Sequence, residues 1–274
     1  MSAEPLRWTT RTVTLGEVPL GLHLAGDDPE LPLIGLIHGL EDRWTCWQAI
    51  AEALAPRARL VAFDMPWSGE AGYEWFLSAG PEALFAAALE AAGEVPRFFL
   101  THSMGANVLL DYLTKHEHGA IEGVVLISPF YKPRFKDFGA NFLQEYAQGF
   151  TDMYAEGLVV QAKGRVVAKE RIAELASRVH LRTCPLGFLA FLKLFTATPT
   201  LALARLTLPV WLLGGSRDRM SSPADVAALA ARLPTSTLRL EPDCGHYLML
   251  ERPAAVLEAI EALLAAPDAV PANG

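Results

Sequence analysis

Short apolar runs alternate with longer stretches of helical apolar spacing along most of this chain. The runs are four to six residues long, as in Leu33–Ile37 and Gly123–Ile127, and Gly, Pro, Asp or Ser follows closely after them. Between the runs, segments such as Met104–Lys115 carry apolar residues at the three- and four-residue spacing of one helix face. This alternation predicts a mostly parallel sheet with helices on both faces.

About eight strands are expected in this sheet, and the first two form a hairpin around Gly16, within residues 10–25. The other predicted strands are Leu33–Ile37, Leu60–Phe63, Arg97–Leu100, Gly123–Ile127, Leu208–Leu213 and Thr237–Leu240. The predicted helices are Trp44–Leu54, Pro81–Ala92, Met104–Lys115, Pro223–Arg232 and Pro253–Leu264. Functional residues of such sheets lie beyond the carboxyl ends of the strands.

The alternation stops between residues 130 and 204, a stretch too long for a loop inside a compact domain. Three parts of it have helical composition: Asn141–Gln148, Ala168–Val179 and Leu186–Phe195. We therefore predict a helical cap over the strand ends. The expected domains are a core of residues 1–129 and 205–266, a cap of residues 130–204, and a disordered tail of residues 267–274.

Composition narrows the class of protein. The chain is 51% hydrophobic and 20% charged, which allows a sizeable core. No segment approaches the roughly 20 uninterrupted apolar residues of a membrane-spanning helix, and Met1–Trp8 lacks the apolar centre of a signal peptide. We expect a cytoplasmic protein that does not bind membranes.

The net charge and the spacing of the cysteines and histidines argue against further classes of protein. The net charge of −8 argues against nucleic-acid binding, which needs a cationic surface. Cys46, Cys184 and Cys244 form no CxxC pair, which argues against a disulfide framework or a thiolate zinc site. The seven histidines show no i, i+4 pair facing a carboxylate, so no metal is expected.

The charge is unevenly distributed. Residues 130–200 hold ten Lys/Arg against six Asp/Glu, a balance of +4, so the rest of the chain carries −12. Lys132, Arg134 and Lys136 alternate just beyond a predicted strand end. They form either a solvated basic surface or a docking patch for an anionic substrate or an acidic acyl carrier domain.

Ser103 lies between the predicted strand Arg97–Leu100 and the predicted helix that begins at Met104. A serine at such a junction occupies a sharp, strained turn that exposes its hydroxyl, and the Met104 amide points towards a developing oxyanion. A serine hydroxyl alone is a weak nucleophile, so a base and a group that orients the base are required.

Two later loops supply candidates for these partners. Asp218 follows the strand 208–213, and His246 follows the strand 237–240. Among the alternatives, Asp225 fits the first turn of a helix, and Asp243 lies close to His246 in sequence. His102 is expected to pack, because adjacent residues on the turn point apart. Of the other histidines, His23, His116 and His118 are expected to be solvated. His180, in the predicted cap, is a candidate for substrate contact.

These segments together resemble the α/β-hydrolase family. Residues 101–105, Thr-His-Ser-Met-Gly, resemble its G-x-S-x-G nucleophile elbow, with Thr101 in place of the first glycine. Residues 214–219 resemble the acid loop, residues 243–247 the Gly-His loop, and His38-Gly39-Leu40 the oxyanion loop. Asp64–Gly69 resembles the D-x-P-G-x-G turn, with Trp67 where glycine is usual.

The resemblance implies an α/β-hydrolase fold with a catalytic triad of Ser103, Asp218 and His246. The backbone amides of Leu40 and Met104 would form the oxyanion hole, and His38 would have a structural role. The implied reaction is hydrolysis of an ester, thioester or related acyl bond of a small molecule, without cofactor or metal. Alternatives are acyl transfer, cyclisation or carbon–carbon bond hydrolysis with the same triad, and a non-catalytic ligand-binding role.

Candidate substrate-binding residues are aromatic. Trp67 either packs its loop down or lines the entrance. The segment 185–195 is apolar on nearly every face of a helix, so we expect it to be buried all round. It packs in the core of the cap or roofs the site, where Phe188, Phe191 and Phe195 would form an apolar pocket.

Overall fold

The computed structural model describes residues 6–67, 74–162, 167–178 and 185–266 of the chain. Its strands are β1 (Thr9–Leu15), β2 (Val18–Ala25), β3 (Leu33–Ile37), β4 (Arg59–Asp64), β5 (Phe98–His102), β6 (Gly123–Ile127), β7 (Val210–Gly215) and β8 (Ser236–Glu241). They form one sheet in the order β1-β2-β4-β3-β5-β6-β7-β8. The pairs β1–β2 and β2–β4 are antiparallel, and the others are parallel.

Helices separate most of these strands. They are α1 (Gln48–Leu54), α2 (Glu74–Ser78), α3 (Pro81–Ala92), α4 (Met104–Lys115), α5 (Phe142–Gln161), α6 (Lys169–Ser177), α7 (Pro185–Ala197), α8 (Pro223–Ala230), α9 (Leu248–Glu251) and α10 (Pro253–Leu264). Every residue of β3, β5 and β6 is buried, because helices cover both faces of the sheet. The predicted architecture, a mostly parallel sheet of about eight strands between helices, is confirmed.

The register of the parallel strands brings their carboxyl ends to one edge. Ile37 pairs with Thr101, and Ile127 pairs with His102 and Leu213. The loops after β3, β5, β6 and β7 therefore begin side by side, although they are far apart in sequence. This edge is where the sequence places its candidate functional residues.

Most predicted elements begin or end within three residues of the observed ones, the usual uncertainty of such boundaries. The predicted helix Trp44–Leu54 begins as a 3-10 turn, Trp44–Trp47, before α1. Helices α2 and α9 were not predicted, because five and four residues are too short to show a helical period. The tail, residues 267–274, lies outside the described residues, as do His180 and Cys184.

Among the described residues, helices α5, α6 and α7 lie between β6 and β7, where the cap was predicted. Helix α5 extends to Gln161, well beyond the predicted Asn141–Gln148. Glycine weakens a helix in isolation, but here Gly149 faces the Met220 sulfur and Gly157 the Tyr247 ring. Packing of the two glycines against Met220 and Tyr247 therefore extends the helix past positions where glycine alone would favour its end.

Helix α7 corrects one expectation. It was predicted to be buried on all sides, but Leu189 is 52% exposed and Phe188 only half-buried. Its buried face includes Phe191 and Phe195, and the helix packs against α4, which follows Ser103. Helix α7 is therefore one-sided, with its inner face towards the core. Within the described part of the chain, no helix is long and apolar enough to cross a membrane.

Helix α4 begins very close to the end of β3. A Cβ atom on Gly105 would lie 2.5 Å from the His38 carbonyl oxygen and 2.8 Å from that of Ile37. Both obstacles are backbone atoms of a buried strand end, which has little freedom to move. Only glycine allows this approach.

We expect Gly105→Ala to lower the free energy of unfolding by about 2 kcal/mol or more, since overpacking against rigid backbone forces a shift. Urea denaturation measures this change. Gly119→Ala is the matched control, because nothing lies within 4 Å of a Cβ there; its effect should stay within about 0.5 kcal/mol. Equal stabilities of the two variants would contradict the close approach of α4 to β3.

Candidate active site

Ser103 lies in a strained turn between β5 and α4. Its backbone has φ 55° and ψ −123°, in the left-handed half of φ space that residues with a side chain rarely adopt. The Ser103 amide donates to the Ile127 carbonyl at 2.9 Å, and the Ser103 carbonyl accepts from the Ala106 and Asn107 amides. Neighbouring strand and helix therefore hold the turn from both sides.

Three side chains that the sequence separates widely form one hydrogen-bonded chain. His246 Nε2 lies 3.0 Å from Ser103 Oγ, and His246 Nδ1 lies 2.7 Å from Asp218 Oδ2. The carboxylate accepts the Nδ1 proton, which leaves Nε2 as the acceptor for the serine hydroxyl. All three residues are buried, with 6%, 4% and 1% of their surface exposed for Ser103, Asp218 and His246.

Asp218 is fixed by its own loop. Its Oδ1 accepts from the amides of Met220 and Ser221, each at 2.9 Å. Its other oxygen faces His246, so both carboxylate oxygens have N–H donors. The geometry leaves Asp218 no freedom to rotate away from the imidazole without losing three hydrogen bonds.

The two alternative aspartates lie elsewhere. Asp225 occupies the first turn of α8, where its amide donates to Ser222 Oγ at 3.2 Å, as the sequence indicated. Asp243 is exposed, with φ 52°. The carboxylate that contacts the His246 ring belongs to Asp218.

The backbone of His246 is anchored through its carbonyl oxygen. This oxygen accepts from His102 Nε2 and from Ser128 Oγ, both at 3.1 Å. Burial lowers the pKa of His102 well below its usual value, with the nearby His246 charge acting in the same direction, so the ring stays neutral and Nε2 carries its proton. His102 Nδ1 finds no hydrogen-bond partner among the described residues. His102 packs as predicted, and it also holds His246.

Ser128 was not predicted. It has φ 50° and directly follows β6, and its amide donates to the Leu213 carbonyl at 2.8 Å. The available signal was its position, a polar residue at the carboxyl end of a central parallel strand.

The loop after β3 is tied down by aromatic and imidazole donors. His38 Nδ1 donates to the Gly39 carbonyl at 2.8 Å, and the Met65 amide donates to His38 Nε2 at 2.9 Å. Trp67 Nε1 donates to the same Gly39 oxygen at 3.1 Å. Trp67 is fully buried, so of its two interpretations the structure favours packing of the loop over lining an entrance. Ser68 and Gly69 of the same turn lie outside the described residues.

Gly39 brings this loop against the serine. A Cβ atom on Gly39 would lie 3.0 Å from Ser103 Cβ and 3.4 Å from Ser103 Oγ. The next residue, Leu40, is buried. Neither the Leu40 nor the Met104 amide has an acceptor within the described part of the chain, and their role as an oxyanion hole stays a prediction.

Thr101, which replaces the usual glycine of the elbow, fits without an unpaired polar atom. The residue is fully buried, and its Oγ1 donates to the Val125 carbonyl at 3.2 Å. The β-branched side chain of Thr101 is therefore accommodated against β6.

An aromatic cluster links the cap to His246. The Phe130 ring lies 5.7 Å from the His246 ring, 4.6 Å from Phe191 and 5.3 Å from Phe195. Phe188 joins through Phe191, at 6.0 Å. The three phenylalanines of the predicted pocket are thus connected to the His246 ring through Phe130. Phe130 was not among the predicted site residues.

The basic stretch beyond β6 is largely paired. Lys132 Nζ lies 3.0 and 2.8 Å from the two oxygens of Asp225. Arg134 pairs with Asp137. Two of the three basic side chains would have to leave a carboxylate before they contacted an anionic partner, so these contacts do not favour the carrier-docking interpretation, which stays a prediction.

His23 is a correction. It was expected to be solvated, but it is only 8% exposed. Its ring stacks on Trp44 at 4.0 Å, and its Nδ1 lies 2.9 Å from Thr10 Oγ1. The hairpin strand that carries it pairs with β4 and turns this side chain inward. Across the described ranges, no group of three or more His, Cys, Asp or Glu side chains is arranged to hold a metal ion.

The geometry agrees with comparisons to known proteins. Residues 36–259 match the model of the alpha/beta hydrolase family, and the chain belongs to this family. A comparison with curated proteins found no match.

Solved structures share the fold at low sequence identity. Est816, described as an N-acyl homoserine lactone degrading enzyme, is 19% identical with a TM-score of 0.70, over 92% of this chain and 99% of its own. Esterase RhEst1 from Rhodococcus sp. ECU1013 is 20% identical with a TM-score of 0.63, over 96% and 99%. The thioesterase domain from the curacin biosynthetic pathway is 19% identical with a TM-score of 0.62, over 93% and 99%.

Because the Thr101 side chain is buried and hydrogen-bonded, restoring the family's usual glycine should destabilise this protein. We expect Thr101→Gly to lower the free energy of unfolding by about 2 kcal/mol, from a lost hydrogen bond and a small cavity. Thr101→Ser keeps the hydroxyl and should lose less. Urea denaturation of both variants measures the order, and a glycine variant as stable as the wild type would contradict this role.

Proposed function

We propose that this protein is a serine hydrolase that cleaves an ester, thioester or related acyl bond of a small, partly apolar substrate. The observation that carries the proposal is the buried hydrogen-bonded chain from Ser103 through His246 to Asp218. The chain begins at a strained strand–turn–helix serine, the arrangement that presents a nucleophile to an acyl carbon. The esterase and thioesterase among the structural neighbours act on the same class of bond.

Acylation follows from the hydrogen bonds. Ser103 Oγ attacks the acyl carbon while its proton passes to His246 Nε2. Asp218, which accepts the Nδ1 proton, holds the ring and stabilises the imidazolium. The amides of Leu40 and Met104 donate to the negative oxygen of the tetrahedral intermediate. His246 then returns the proton to the leaving oxygen or sulfur, and the acyl group remains on Ser103.

Deacylation repeats these steps with water as the nucleophile. His246 takes a proton from the water, the hydroxide adds to the acyl carbon, and a second tetrahedral intermediate forms. Its collapse releases the carboxylic acid and returns the proton to Ser103 Oγ. Because both halves use one imidazole and one pair of amides, no further acid or base is required.

The acyl portion of the substrate would lie against aromatic carbon. Phe130 is beside the His246 ring, and Phe191 and Phe195 extend the apolar wall into the cap. Apolar walls with few convergent polar groups are typical of small-molecule sites. Trp67 acts in this proposal through the Gly39 carbonyl, as a support of the oxyanion loop.

Ser103→Ala tests the nucleophile. We expect it to reduce hydrolysis of short p-nitrophenyl esters by several powers of ten and to leave thermal unfolding nearly unchanged, because only one hydroxyl is removed. In the wild type, a fluorophosphonate should add one adduct, detectable by intact mass and absent from the variant. Ester hydrolysis within tenfold of wild type would refute the assignment.

Asp218→Asn tests the acid. It should lower kcat by roughly 10⁴, because an amide presents the wrong partner to the His246 Nδ1–H tautomer. Asp243→Asn is the matched control, since Asp243 is exposed and asparagine tolerates its positive φ; its kcat should stay near wild type. If Asp243→Asn were the more damaging variant, the acid role would move to Asp243.

A further inference from the structure

A single carboxylate bridges the backbone N–H groups of the two residues on either side of His246. Glu251, the last residue of α9, accepts from the Gly245 amide through Oε2 at 2.9 Å and from the Tyr247 amide through Oε1 at 3.2 Å. We propose that Glu251 is a positioning residue for the base, one that sets the place of the His246 ring through the backbone. This inference rests on the proposed function.

The loop that carries His246 needs such an anchor. It lies between β8 and α9, and its Cys244 carbonyl accepts from the Arg217 amide at 2.9 Å. Asp243 holds a left-handed backbone at φ 52°, and Gly245, directly before the base, has no side chain to restrict its rotation. Without external contacts the ring would sample a wide range of positions.

The anchors act on both polar atoms of the His246–Tyr247 peptide group and on the amide of Gly245. His102 and Ser128 donate to the His246 carbonyl oxygen, and Glu251 accepts from the amides before and after it. Hydrogen bonds to an ionised acceptor are roughly twice as strong as neutral ones. Removing Glu251 would release the Gly245 and Tyr247 amides and leave the loop held by the donors to the His246 carbonyl and by the Arg217 amide on the Cys244 carbonyl.

The Glu251 carboxylate is committed to this loop. Among the described residues, no basic side chain lies within ion-pair distance of it; Arg252 donates to the Glu251 carbonyl instead, at 3.0 Å. Burial and the negative charge of Glu251 raise the pKa of the neighbouring Cys244 thiol to about 12. Glu258, one helix further on, differs in that it pairs with Arg239 at the surface.

Position matters here because His246 must exchange protons with Ser103 and the leaving group while it stays hydrogen-bonded to Asp218. A displacement of about 1 Å in a reacting group can lower turnover about 100-fold. Substrate binding, in the proposed function, depends on the aromatic residues and the oxyanion loop, whereas the backbone hydrogen bonds of the Glu251 carboxylate are to the loop of His246. A positioning residue should therefore act on kcat and leave KM alone.

The test is Glu251→Gln in the full chain, assayed on a p-nitrophenyl ester. The amide oxygen can accept from one backbone N–H, while its NH₂ group faces the other. We expect kcat to fall about 10- to 100-fold, with KM within about twofold. The low-field NMR resonance of the proton between His246 and Asp218 should shift or broaden. Glu251→Asp, which keeps the charge and both oxygens, should recover part of the loss.

Glu258→Gln is the control and should match the wild type in kcat, KM and the low-field resonance. A Glu251→Gln protein with wild-type kcat and an unchanged resonance would overturn the positioning role. A fall in stability with no change in either readout, at a temperature where the protein is folded, would overturn it equally. If the glutamine variant does not fold, wild-type kcat in Glu251→Asp is the contrary result.

Failure of the underlying mechanism has a different signature. If Ser103→Ala retained activity, the proposed function would fall, whatever Glu251→Gln showed. If Ser103→Ala were inactive and Glu251→Gln matched the wild type, only the role of Glu251 would fall.

Discussion

The left-handed backbone of Ser103 is the constraint on which the site depends. With φ at 55°, the chain leaves β5 and enters α4 within one residue, and the serine hydroxyl emerges at the sheet edge. The strain persists because the Ile127 carbonyl holds the Ser103 amide and because Gly105 lets the helix start against the end of β3. The central strands thus fix the nucleophile directly.

The acid and the base are held differently, as a pair of joined loops. The Ser216 amide donates to the Glu241 carbonyl and the Arg217 amide to the Cys244 carbonyl, both at 2.9 Å. The Asp243 amide donates to Ser216 Oγ at 3.0 Å. Asp218 and His246 therefore belong to one backbone unit. This unit meets the serine turn through the imidazole and through the two donors to the His246 carbonyl. The geometry of the site depends on how well this unit is seated against β5 and β6.

The sequence predicts what continuous apolar runs and local turns encode. The central strands were recognised because they are buried on both faces. Ser103, Asp218 and His246 were recognised because each follows a predicted strand, in the chain order that the α/β-hydrolase resemblance implies. Contacts between distant residues left no local signal: Lys132 with Asp225, Ser128 with His246, and the Tyr247 ring beside Gly157 of α5. The contact of Glu251 with the His246 loop was not predicted, because a helix of four residues is too short to show a helical period.

Helix α5 contacts the catalytic loops through Gly149 on Met220 and Gly157 on Tyr247. Met220 donates its amide to Asp218, and Tyr247 directly follows His246. The side of α5 that carries these two glycines therefore packs against the loops of Asp218 and His246 and helps to hold their shape. The outer side of α5 faces solvent, where Leu143 and Val159 are 62% and 53% exposed. Residues on that side can therefore change without displacing the catalytic loops. A side chain gained at Gly149 or Gly157 would instead displace Met220 or Tyr247 and so alter catalysis.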